Sequence, residues 1–200
     1  MKLNTKYIPY FPIVGLGLYL IVFTFAASAY PGGSANYPHA NGYSFFHNFL
    51  CDTMNPISQS GIVNDARFLA VISHLILSFT MISFFYVLPK IFTVKNRNTK
   101  LIAYFGIAAM TAFIFMYTEY HDLVVTITGV LGAIALIPFL IELRHFENKG
   151  LKRLAYLCYA LSIIVFFIFE TKIGIYYLPF IQKITFFADA YWVVWSCVFV

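Results

Sequence analysis

Charge is scarce in this chain: 10% of its 200 residues are Asp, Glu, Lys or Arg, against 61% hydrophobic residues. A soluble domain carries about 25% charged residues, so a water-facing globule is not expected. Cysteine is sparse too. The 3 cysteines, Cys51, Cys158 and Cys197, show no CxxC spacing, which excludes zinc-finger and redox frameworks, and their expected depths do not match for a disulfide. No internal duplication argues for an inverted-repeat transporter.

What the chain has instead is long apolar runs, near 8–30, 67–89, 101–118, 122–142, 152–170 and 184–200. Each approaches the roughly 20 residues that a helix needs to cross about 30 Å of hydrocarbon. The fold class expected is therefore an all-α polytopic bundle of six transmembrane helices, with residues 1–200 forming one integral membrane domain. Basic residues lie between the runs. Lys2 and Lys6 precede the first, Lys90, Lys95, Arg97 and Lys100 follow the second, and Arg144, Lys149, Lys152 and Arg153 follow the fourth. They fall on one side, which the positive-inside bias assigns to the cytoplasm together with both termini; the expected location is a bacterial inner membrane. The net charge of +5 is then a topology signal that can touch anionic headgroups, and nucleic acid is not an expected partner. Membrane lipids are, with a membrane-protein partner or a second copy as further options. Ala27-Ser28-Ala29 offers a signal-cleavage alternative for the first run, but a stretch of that length favours a retained helix.

The connections are unequal. Glu119-Tyr120-His121-Asp122 is a tight outer turn, whereas residues 31–65 form a long outer loop of the kind that is often functional. Within it, a short interfacial helix is expected from Ser44 to Asn55. Phe45, Phe46, Phe49 and Leu50 then share one face, and Ser44, Asn48 and Asp52 share another. Either the aromatic face rests on lipid or the polar face looks down into the bundle as a lid. Asn64 and Asp65 offer caps to the second helix. The stretch 171–183 reads as an interfacial elbow, and the Gly/Ala positions around Gly106 and Gly132 as close contacts between the third and fourth helices.

His74 should lie roughly 10 Å along the second helix, where a polar group must face the bundle interior. Asp122 opens the fourth helix, and Asp189 sits about one turn inside the expected sixth. Asn48, Asp52, His74, Asp122 and Asp189 are accordingly the candidate ligand-binding residues, for a lipid or small amphiphile in an outward-facing polar pocket. No catalytic residue is assigned. A transporter is a weaker alternative, because the inner halves of the helices carry few ionisable groups.

The strings Ala29-Tyr30-Pro31-Gly32-Gly33-Ser34, Phe45-Phe46-His47-Asn48-Phe49-Leu50-Cys51-Asp52 and Ala66-Arg67 resemble those of bacterial six-to-seven-helix membrane proteins of unknown function, themselves distantly similar to the Frag and DRAM-type membrane proteins. That resemblance implies a membrane bundle and no agreed activity or cofactor. A second, partial resemblance is to membrane hydrolases such as alkaline ceramidases and progestin-receptor-like proteins, which implies zinc. The metal set here would be His47, His74, His121 and Asp189, with Asp52 nearby, activating water for lipid hydrolysis. The close His-x-x-x-His pair of that group is missing. No cofactor is expected, and zinc is the alternative.

Overall fold

A computed structural model describes residues 5–200. It is an all-α bundle of six long helices: α1 (Phe11–Ser28), α2 (Arg67–Val87), α3 (Arg97–Phe113), α4 (His121–Arg144), α5 (Lys149–Thr171) and α6 (Leu178–Phe199). Five of them, α1 to α5 with their short 3₁₀ extensions, are long and apolar enough to cross a membrane. The sixth has the length, but Gln182, Lys183 and Asp189 dilute its hydropathy. Lys2 lies outside the described residues.

Local chemistry explains most boundaries. Pro12 opens α1, where its missing N–H is no loss. The Asn96 side chain accepts from Thr99 N at 3.1 Å and caps α3, and Asn148 does the same for Leu151 N at 3.0 Å in α5. Lys172 closes α5 in the left-handed region at φ 60°. Asn64 does not cap α2 in the expected way. Its side-chain oxygen takes Ala66 N, but its amide is spent on the carbonyls of Thr53 and Asn55, at 2.8 Å each, so it ties the loop to itself.

Helices pack in sequential pairs, α1 on α2, α3 on α4 and α5 on α6, with α2 also against α3. The main hydrophobic core sits toward the end bearing the basic connections, where Phe84, Phe92, Ile102, Phe139, Leu143, Leu151 and Trp192 interdigitate. Trp192 meets the edges of both Phe84 and Phe139 with ring centres 5.5 Å apart. The same end is pinned by Glu142, which accepts from Asn96 and Asn98 at 2.8 and 2.7 Å. The other end holds only a small cluster around Ala26, Met54 and Ala70. The bundle is thus tight at its basic end and looser beneath the long loop.

The small residues act differently from the expectation. Gly106 of α3 seats the ring of Phe85 from α2, and Gly129 of α4 seats Phe166 from α5, whereas a side chain at Gly132 would meet nothing within 4 Å. The α3 and α4 backbones do approach one another closely, as expected, but Gly106 and Gly129 admit large side chains from α2 and α5, and Gly132 is not at the α3–α4 contact. The sixth helix also begins earlier than residue 184. A 3₁₀ turn at Ile175–Tyr177 leads directly into Leu178, with Pro179 in the first turn, so the expected elbow is a brief corner.

Candidate functional site

The long loop is not built around an interfacial helix. Residues 44–49 make a single turn, in which Asn48 N donates to Ser44 O at 3.0 Å, and the only helical stretch is the 3₁₀ segment Leu50–Met54. The physical reason lies in Asn48 and Asp52, whose side chains compete with helical backbone bonding for local partners. The Asn48 oxygen accepts from Ser44 N at 2.8 Å while its amide donates to Gly33 O at 2.7 Å and to Asp52 Oδ2 at 2.9 Å. Asp52 further accepts from Phe49 N at 2.9 Å and, more weakly, from Gln59 Nε2 at 3.4 Å. Gly33 takes φ +78°, and a side chain there would strike the Ser60 backbone. Asn48 and Asp52 are 1% and 3% exposed, while Phe45 and Phe46 point outward. The polar face looks into the molecule, while the expected aromatic face is split, Phe45 and Phe46 facing away and Phe49 and Leu50 lining the cavity beneath the loop.

Burial holds the Asp52 carboxyl above the usual carboxylate range, against the opposing pull of hydrogen bonds from Asn48, Phe49 and Gln59 and of the Lys183 charge. Lys183, the last residue of the stretch read as an elbow, is buried in the fold, 2% exposed. Its ammonium donates to the carbonyl oxygens of Asn48 and Pro179, and lies 5.6 and 5.5 Å from the Tyr43 and Phe45 ring centres. Beside it, Gln182 Oε1 accepts from Leu50 N at 3.0 Å, and at the rim the Tyr37 and Tyr176 hydroxyls are 2.8 Å apart. The loop is therefore fastened onto α6. No pattern in the sequence announced this, because Gln182 and Lys183 precede the stretch read as the sixth helix.

Beneath the loop lies a cavity of about 360 Å³. Its polar lining includes Asp52, His74, His121, Asp122, Lys172 and Gln182 together with Thr53, Asn55 and Ser73, and its apolar walls include Phe23, Leu77, Phe113, Met116 and Phe169. His74 is buried with Nε2 2.8 Å from Phe113 O, a tie between α2 and α3. His121 Nδ1 is 2.9 Å from Asp122 Oδ1, leaving a buried Nε2 with no partner. Lys172 Nζ lies 4.1 Å from the centre of the Phe169 ring. A carboxylate-oriented imidazole with a free nitrogen, a lysine and an amide around an apolar hollow can hydrogen-bond a polar group while sheltering a hydrocarbon chain.

Of the expected ligand-binding residues, Asp52, His74 and Asp122 line this cavity and Asn48 stands directly behind Asp52. Asp189 does not join them. Because α6 starts at Leu178, Asp189 sits about 16 Å along the helix instead of one turn in, and it lines a separate cavity deeper in the bundle. His47 is apart as well, packed between Tyr37 and Tyr176 at ring-centre distances of 4.6 and 6.0 Å on the loop's outer rim. The set His47, His74, His121 and Asp189 is thus not assembled. Among the described residues no group of three or more His, Cys, Asp or Glu is arranged to hold a metal ion. No protein-family model, curated protein or solved structure matches this chain.

Proposed function

We propose that this chain is an integral membrane protein of the bacterial inner membrane type that holds a lipid headgroup or small amphiphile in the cavity under its long loop. The observation carrying the reading is the His121–Asp122 pair, whose unpartnered Nε2 belongs to a cavity in which a few polar side chains are set among Phe, Leu and Met walls. A volume of about 360 Å³ suits a headgroup and the first part of its chain, not a whole phospholipid. Membrane lipid is the partner this reading requires.

Orientation belongs to the same proposal. Both termini are cytoplasmic and the loop faces outward, supported by the segregation of the basic connections at the opposite end. On a cysteine-free background, a membrane-impermeant thiol reagent applied to intact cells should modify His39→Cys and spare Glu147→Cys. Labelling of position 147 alone would invert the topology.

Ligand retention is tested by native mass spectrometry of wild type, His121→Leu and Asp122→Asn, with melting followed in the same detergent. The wild type should retain one amphiphile per chain. Both variants should lose most of it, and melting should shift little, since neither side chain bonds another helix. Undiminished retention in two folded variants would defeat the proposal.

A further inference from the structure

A second cavity, of about 300 Å³, lies midway through the bundle where the α5–α6 pair meets α2, α3 and α4. It shares no lining residue with the cavity under the loop. Most of its wall is apolar, supplied by Met81, Phe84, Phe85, Leu136 and Phe139 among others. Into this wall are set Asp189 and Trp192, three residues apart on α6 and so side by side on one helix face. Trp192 is 8% exposed, and its indole N–H has no hydrogen-bond partner. Asp189 is half-buried about 16 Å from the start of α6, near the depth of a bilayer midplane. Among the described residues the one ion pair is His121–Asp122, so no side-chain cation lies against the Asp189 carboxyl, whose neighbouring donor is the Cys158 thiol, a weak one that leaves the second carboxyl oxygen open to a hydroxyl.

These two groups ask for different things. The indole requires an acceptor and the carboxyl group favours a donor, while an ammonium ion supplies donors alone and would leave Trp192 unpaired. Water is a poor filling. At about 30 Å³ each, roughly ten molecules would be needed, each wanting two to four polar partners, and the wall's polar residues are Cys158, Tyr159, Ser162, Asp189 and Trp192, too few for that number. A single hydroxyl on an apolar body meets both requirements, accepting from Trp192 Nε1 and donating to Asp189. We propose that this cavity is an intramembrane binding site for a small apolar alcohol, of roughly ten water-sized groups in bulk.

The protein contains 2 tryptophans, so Trp195→Phe leaves Trp192 as the sole emitter, inside the cavity wall. With this variant in lipid nanodiscs, 1-decanol should change the emission saturably and n-decane should not. Asp189→Leu should weaken the decanol response about tenfold, the value of one well-placed hydrogen bond, whereas Asp189→Asn, which keeps an acceptor, should stay within about threefold. Gly132→Leu places a side chain into the cavity without meeting the backbone and should abolish saturation; Gly17→Leu, also in open space but elsewhere, should not. A response that is linear in decanol, matched by decane, or unchanged in Gly132→Leu would overturn the proposal. Failure here would leave the cavity under the loop untouched, because no residue lines both.

Discussion

Asn48→Leu is expected to cost about 3 kcal/mol or more and to free the long loop from the bundle. The substitution keeps the volume and removes every bond the Asn48 side chain makes: from Ser44 N, to Gly33 O and to Asp52 Oδ2. Each buried polar group left without a partner costs about 1–3 kcal/mol, and the site is too enclosed for water to compensate freely. Asp52 then loses a bond that favours its charged form, which burial already disfavours. Thermal unfolding in detergent together with limited proteolysis at the loop is the measurement. A large drop in melting temperature and rapid cleavage within 31–65 are expected. Asn36→Ala, which breaks only an exposed bond to Tyr176 O, should change little. Equal behaviour of the two variants would mean that the buried network does not hold the loop.

The second large effect concerns helix packing. Gly106→Leu must displace the Phe85 ring that occupies the notch on α3, and overpacking of this kind costs about 1–3 kcal/mol or more. Gly132→Leu should be tolerated. It relieves the roughly 1 kcal/mol helix penalty of glycine and projects into the second cavity, where its Cβ meets no protein atom within 4 Å. Melting of the two single variants in one detergent decides the matter: a drop for Gly106→Leu alone is expected. A larger drop for Gly132→Leu would restore the tight α3–α4 contact that the sequence suggested at that position.

The difference between those two glycines shows what sequence patterning carries here. Apolar length and basic residues between runs marked six helices, of which five are long and apolar enough to span a membrane and fall near the expected boundaries, because both signals arise from the bilayer and act locally. Helix partners are a different matter. A glycine declares that something approaches, and only the fold says whether it is Phe85, Phe166 or nothing. The loop failed for a related reason. Phe45, Phe46, Phe49 and Leu50 have helical spacing, yet the Asn48 side chain ties to Gly33 O, 15 residues away, a bond that no local period encodes, and to Asp52 beside it. Half the candidate site was legible, since His74, Asp122 and Asp52 stood out as polar groups near one end. Gln182 and Lys183 did not, and starting α6 at Leu178 moved Asp189 into another cavity.

The cavity under the loop is expected to contain an amphiphile when the protein sits in its own membrane. Photo-crosslinking from a benzophenone amino acid tests it most directly. Val125 lines the cavity and Leu123, two residues earlier on α4, is exposed outside it. After irradiation of intact membranes, intact-mass analysis should show a discrete single-lipid adduct at position 125 that diminishes when His121→Leu is added. Position 123 should give the mixed adducts of bulk lipid. If 125 yields no adduct, or the same mixture as 123 with no dependence on His121, the cavity is not a binding site.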